Sequence, residues 1–213
     1  MVQSLRDRWV TLAGGTAASV RVGEDLVARW SESHRCYHNL EHLARVLDGV
    51  DEFGDRADDL MAVRFAAWFH DAIYDSSVGS EANEELSAQL AETQLPPLGV
   101  LDVRVAEVAR LIRLTRGHEV ARDDPNGAVL CDADLVVLGG APEDYAAYAR
   151  AIRAEYADIP DELFRPGRAA ILRSLLELPA LFRTADARER YEARARQNLA
   201  AEISALEAAA APK

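Results

Sequence analysis

The stretch "ADDLMAVRFAAWFHDAIY", residues 57–74, is apolar nearly all round apart from Arg64. A helix of that composition offers no face to water, so it belongs in the middle of a domain with other helices packed about it. Its C-terminal end carries His70 and Asp71. Burying a bare charge costs on the order of several kcal/mol or more, so this pair cannot remain unpartnered. A local His–Asp hydrogen bond is one solution and a bound cation is another. The choice depends on what else the chain buries.

The surrounding sequence reads as helices joined by short turns. Residues 18–31 make a first long helix. In 39–53, Leu40, Leu43, Val46, Leu47, Val50 and Phe53 recur at helical spacing, with Asn39 suited to cap the helix and Glu41 favourably placed in its first turn. That register puts His42 at the edge of the apolar stripe. Residues 79–94 are strongly polar, with Leu86 and Leu90 as anchors, and Pro96–Pro97 stops them. A helix over 99–116 carries Val103, Val108, Leu111, Ile112 and Leu114. In "AVLCDADLVVLGG", 128–140, Val136–Val137 would suit a strand, but the Gly139–Gly140 stop and the helical context favour a short buried helix. Helices follow at 142–157, 161–177 and 185–208. The last alternates Arg and Glu on a solvated face and turns Tyr191, Leu199, Ile203 and Leu206 inward. The tail 208–213 is expected to fray. With no hairpin signal, no repeat and no long linker, the expectation is an all-α protein, one helical domain over 1–213 with its core at about 28–206.

Composition narrows the function classes. At 213 residues and 49% apolar content the chain can bury a sizeable core. No apolar run reaches the roughly 18 residues that span a bilayer. Arg6, Asp7 and Arg8 stand where a signal peptide would need an apolar core, and Cys36 and Cys131 form neither a CxxC nor a disulfide framework. A cytoplasmic protein is expected, with both cysteines as small packing residues. The net charge of −12 disfavours a long nucleic-acid partner, which needs a basic footprint. A small phosphorylated substrate remains compatible, because a bound cation can dominate the field of a site.

Two further clusters bear on the buried pair. "SHRCYHNLEHLARV", 33–46, sets His38 and His42 four residues apart, a spacing that would share one face on a helix. Asp132 and Asp134 lie inside an apolar run, where two neighbouring carboxylates would repel and raise each other's pKa, and no Arg or Lys is close in sequence. A divalent cation would neutralise His70–Asp71 and the Asp132/Asp134 region together. There is no GxxxxGK[ST] or GxGxxG, so phosphate would be held by metal and Arg rather than by a Gly-rich loop.

The order "YHNLEH" (37–42), "FHD" (69–71) and "DADL" (132–135) resembles the HD superfamily of metal-dependent phosphohydrolases. "NEELSA" (83–88), "LTRGH" (114–118) and "ARQNLAAEI" (195–203) resemble a branch of small stand-alone bacterial HD-domain proteins, and the whole pattern is distantly similar to cyclic-nucleotide phosphodiesterases. The resemblance spans about residues 28–206.

The resemblance implies His42, His70, Asp71 and Asp134 as ligands of a divalent metal, with Asp132 as the competitor for Asp134 or a supporting carboxylate. Two imidazoles and two carboxylates suit Mn, Fe, Co, Ni, Zn or Mg and leave positions open for water and substrate. His38 is then the proton donor to the leaving oxygen. Arg35 is a phosphate ligand or a surface ion pair. His118 contacts substrate phosphate or completes a second metal site. Asp75 positions the attacking water or joins a second metal, and Glu84 and Glu85 join that metal or form a polar helix face. His34 is a surface residue. One metal is favoured, because two-metal members usually supply two histidines between the HD pair and the last Asp, and here only His118 stands there. The implied reaction is metal-dependent hydrolysis of a phosphate ester in a small metabolite such as a nucleotide. The alternatives are a di-iron oxygenase on the same fold, which needs more ligands, and a non-catalytic metal- or nucleotide-binding regulatory module.

Overall fold

The computed structural model describes residues 1–75 and 82–208. The start of the polar helix expected at 79–94 and all but the first residue of the tail expected at 208–213 lie outside the described residues. Among the described residues every regular element is helical, and the fold is all-α. The helices are α1 (Val2–Ala13), α2 (Ala17–Arg29), α3 (Leu40–Phe53), α4 (Leu60–Phe69), α5 (Asn83–Gln94), α6 (Asp102–Leu114), α7 (Pro125–Leu135), α8 (Pro142–Glu155), α9 (Asp161–Glu177) and α10 (Ala185–Ala208). None of them is long and apolar enough to cross a membrane. The chain divides into two compact units, Met1–Asp134 and Leu135–Lys213.

In the first unit α4 is the central helix, with Ala62, Val63, Phe65, Ala66, Ala67, Trp68 and Phe69 all buried. Helices α1, α3, α5 and α6 pack on it. Helix α1 escapes a sequence reading because charged residues interrupt it, yet Leu5 and Trp9, one turn apart, are both buried. The Trp9 ring meets Phe65, Trp68 and Phe69 edge-on at 5.3–6.2 Å, the favoured geometry for aromatic pairs. Its indole N–H donates to the Ser19 carbonyl at 2.8 Å, so no polar atom is stranded.

Three local departures from the expected elements shape the site. First, α4 stops at Phe69, and a tight turn follows in which the Ala72 N–H donates to the Phe69 carbonyl at 2.9 Å. In a continuing helix His70 and Asp71 would diverge by about 100°. Leaving the helix at that point lets both face one place. Second, Leu86 on α5 is exposed, not an anchor; the inner face of α5 is Asn83, Ser87, Ala88 and Ala91. Asn83 accepts from the Asp75 N–H and donates to the Asp75 carbonyl, both at 3.1 Å, while Ser87 Oγ accepts from the Ile73 N–H at 3.0 Å. The polar inner face therefore pins the loop after His70–Asp71. Val103 on α6 is likewise exposed, and Val105, Val108, Leu111 and Ile112 supply the buried face. Third, a Cβ on Gly49 of α3 would lie 2.9 Å from Ala133 Cβ of α7, closer than Cβ atoms tolerate. Glycine lets α3 and α7 approach at this point, beside Asp134.

The second unit is built on α8, α9 and α10 with a 3₁₀ turn at Val136–Gly139, where the strand alternative for Val136–Val137 fails. Asn198 of α10 donates to the Leu138 and Gly140 carbonyls at 2.8 and 3.1 Å, and Arg168 pairs with Glu202 at 2.9 Å. Tyr145 also donates to Glu202, so this buried polar cluster is internally satisfied.

Candidate metal centre

His42 enters the first turn of α3, and Asn39 caps that turn as its sequence position suggests: the side-chain oxygen accepts from the Glu41 and His42 N–H groups at 2.9 and 3.4 Å. The cap points the imidazole inward, and His42 is 2% exposed rather than at the edge of the buried stripe. His70 is 1% exposed, and its Nδ1 bonds the Ala67 carbonyl at 2.9 Å. That acceptor assigns the Nδ1 hydrogen and leaves Nε2 free to act as a ligand.

The ligand atoms converge. His42 Nε2 lies 3.2 Å from His70 Nε2, 3.7 Å from Asp71 Oδ2 and 3.2 Å from Asp134 Oδ1. His70 Nε2 lies 3.2 Å from Asp71 Oδ2 and 3.7 Å from Asp134 Oδ1. Donors about 2.1 Å from a shared cation stand about 3.0 Å apart at right angles and about 3.4 Å apart at the tetrahedral angle. The spacing thus matches the edges of a coordination shell. His42, His70 and Asp71 keep their ligand atoms within 4.8 Å of one another, a group that could hold a metal ion. Aromatic rings wall the site: Trp30 lies 5.4 Å from the His70 ring and Tyr37 lies 4.8 Å from the His42 ring.

Charge is distributed to suit a cation. Burial favours neutral His42 and outweighs the pull of Asp134, so its pKa falls below the ordinary value. Burial also opposes charge on His70, but Asp71 and Asp134 overcome it and hold that pKa well above normal. Asp71 and Asp134 are themselves buried, which would raise them; the imidazoles prevail and keep both carboxyls below the usual carboxylate range. Without a metal, a proton on His70 balances two carboxylates.

Asp134 and Asp132 are two residues apart on α7 and so point in roughly opposite directions, which removes the expected mutual repulsion. Asp134 reaches the imidazoles, while Asp132 is fully buried. His118 is placed differently from a phosphate contact. Its Nε2 bonds Asp134 Oδ2 at 2.9 Å, leaving Oδ1 toward the imidazoles. It holds this pose at φ 53°, a left-handed conformation uncommon for a non-glycine residue and costing on the order of 1 kcal/mol. The sequence carries no signal for that backbone.

His38 sits beside the cluster with its ring 5.5 Å from the His42 ring and stacked on Tyr74 at 4.2 Å. Arg35 is buried rather than at the surface. The ion pair is present, with Nε on the half-exposed Glu32, but the guanidinium is not open to phosphate: its side chain is 0% exposed, and it donates to the Asp71, His38 and Ala72 carbonyls. Asp75 is exposed at the end of the loop pinned by Asn83. Glu85 is taken by Arg113 at 2.6 Å, as a polar helix face would have it. Glu84 faces inward with Oε2 buried and without a hydrogen bond; burial, then the nearby Asp71 charge, raises its pKa. His34 is exposed, as expected, with Nε2 on the Tyr74 carbonyl. Cys131 is buried, whereas Cys36 is exposed and is not a packing residue.

No family model matches the chain, and no curated protein matches it. Among solved structures its fold is similar to that of Bacillus subtilis YpgQ, determined in complex with ADP. The two are 24% identical with a TM-score of 0.50, over 88% of this chain and 96% of that one. The likeness is one of fold.

Proposed function

We propose that the chain is an HD-type, metal-dependent phosphohydrolase acting on a small phosphorylated metabolite, with nucleotides the first class to test. The observation that carries this reading is the convergence of His42 Nε2, His70 Nε2, Asp71 Oδ2 and Asp134 Oδ1 at 3.2–3.7 Å inside an aromatic wall. Lone pairs and anionic oxygens at that spacing repel unless positive charge joins them. The similar fold of a protein crystallised with ADP supports starting the substrate screen from nucleotides.

The donor set fits a borderline or hard divalent ion among Mn, Fe, Co, Ni, Zn and Mg. Such an ion supplies Lewis acidity toward phosphoryl oxygens and increased acidity of water. The chain's own residues do the rest. The Ala67 carbonyl fixes the His70 tautomer, and His118 occupies the outer oxygen of Asp134, so these two ligands are held from behind. His38, beside the cluster but off the ligand set, gives its proton to the departing oxygen. Asp75, at the rim of the same loop, orients the attacking water.

Substituting His70 or Asp71 with alanine is expected to abolish cation binding and turnover together. His38→Ala is expected to retain the cation and lose about 100-fold or more in kcat, the range for loss of general acid–base help. Calorimetry with Mn²⁺ and release of phosphate from a panel of nucleotides and generic esters measure both. Turnover persisting in His70→Ala would overturn the reading. Two bound irons with oxygen uptake would favour an oxygenase, and tight nucleotide binding without turnover would favour a regulatory module.

A further inference from the structure

Arg35 uses its guanidinium to join two turns that are distant in sequence. One nitrogen, Nη1, donates to the Asp71 carbonyl at 2.6 Å and to the His38 carbonyl at 3.1 Å. Nη2 reaches the Ala72 carbonyl at 3.2 Å, and Nε bonds Glu32 at 2.9 Å. The guanidinium also lies over the Trp30 ring at 5.5 Å and the Tyr74 ring at 5.6 Å. Tyr74 in turn stacks on His38. Trp30, Arg35, Tyr74 and His38 therefore form a layered series, and a guanidinium can fill its second place because it is planar, permanently charged and fork-shaped. A lysine ammonium has one nitrogen and cannot span the same set of acceptors.

We infer that Arg35 is a positioning residue for the proton donor. Its buried guanidinium clamps the His38 turn to the Asp71–Ala72 turn and supports the ring against which His38 stacks. It thereby fixes where His38 stands relative to the ligand cluster without touching substrate. The catalytic consequence rests on the functional reading above; the placement rests on geometry alone.

Arg35→Lys tests this by three measurements on the full chain: Mn²⁺ affinity by calorimetry, steady-state kinetics on the best substrate of the panel, and the ring ¹⁵N resonances of His38 by NMR. The expected result is Mn²⁺ affinity and KM within a few-fold of wild type, a kcat lower by about 100-fold, as for losing well-placed acid catalysis, and displaced or broadened His38 resonances with those of His118 in place. A rise in KM at unchanged kcat would make Arg35 a phosphate contact and overturn the inference. Loss of Mn²⁺, or unchanged His38 resonances and kcat in a folded variant, would overturn it as well. Should Arg35→Lys fail to fold, Tyr74→Leu keeps the guanidinium's carbonyl bonds and removes the ring between it and His38; undisturbed His38 resonances there would overturn it. If the wild type turns over none of the esters, the functional reading falls while the NMR and calorimetric arms still decide the placement.

Discussion

His70 carries the proton that balances Asp71 and Asp134 when no cation is bound. Its folded-state pKa lies well above the ordinary 6.5 or so, hence its contribution to stability is complete below that value and is lost as pH rises through the raised one. Asp71 and Asp134 have lowered values, so they contribute above about pH 4 and lose that contribution as acid protonates them. The cation-free protein is therefore expected to be most stable between those limits. A cation must also displace the His70 proton, so affinity should rise with pH with release of up to about one proton per ion from this group. Calorimetry in buffers of different ionisation enthalpy counts that proton, and zero release would mean His70 is not a ligand. His118→Asn keeps a residue that tolerates the left-handed backbone but removes the bond to Asp134. It should weaken Mn²⁺ binding by about 10–100-fold with little change in melting temperature. At this scale the motif order was enough to group His42, His70 and Asp71, because ligand chemistry restricts residue types. The roles of Arg35 and His118 were illegible: two of Arg35's carbonyl acceptors come from a turn far along the chain, and a strained φ leaves no trace in residue identity.

Among the elements, the approach of α3 and α7 decides whether Asp134 reaches the imidazoles. Gly49→Ala inserts a methyl where Ala133 already stands 2.9 Å away, and it should destabilise the chain by about 1–3 kcal/mol through overpacking. Because the displaced helix carries Asp134, Mn²⁺ affinity should fall with it. Gly15→Ala, whose Cβ would meet nothing nearer than 3.7 Å, is the matched control expected to do neither. Thermal melts and calorimetry on the pair decide the matter; equal behaviour would break the link between helix approach and site. Apolar periodicity located α3, α6, α8, α9 and α10 closely, since each buries one stripe. It overran α4 because composition alone does not reveal that the backbone turns after Phe69, and it missed α1 because two buried residues in twelve make a faint stripe.

For the whole molecule, the net charge of −12 would act in opposite senses on the proposed cation and the proposed anionic substrate. An acidic surface draws divalent cations and repels anionic substrates, and both effects are screened by salt over about 8 Å at physiological ionic strength. At saturating cation, kcat/KM for a nucleotide should therefore rise as ionic strength increases from about 0.01 to 0.15 M, where the screening length shortens most. A fall over that range would reveal a positive field at the site's mouth that outweighs the global charge.

The indole of Trp30, 5.4 Å from the His70 ring and 6.0 Å from that of His42, has an optical consequence. Charged imidazole quenches indole emission and neutral imidazole does so far less, so exchange of a His70 proton for an ion is expected to change the light this residue emits. Trp9, Trp30 and Trp68 are the only tryptophans in the sequence, and all lie in the first unit. Excited at the red edge of its absorption, the protein reports on its own candidate metal centre without a label, while the second unit stays dark.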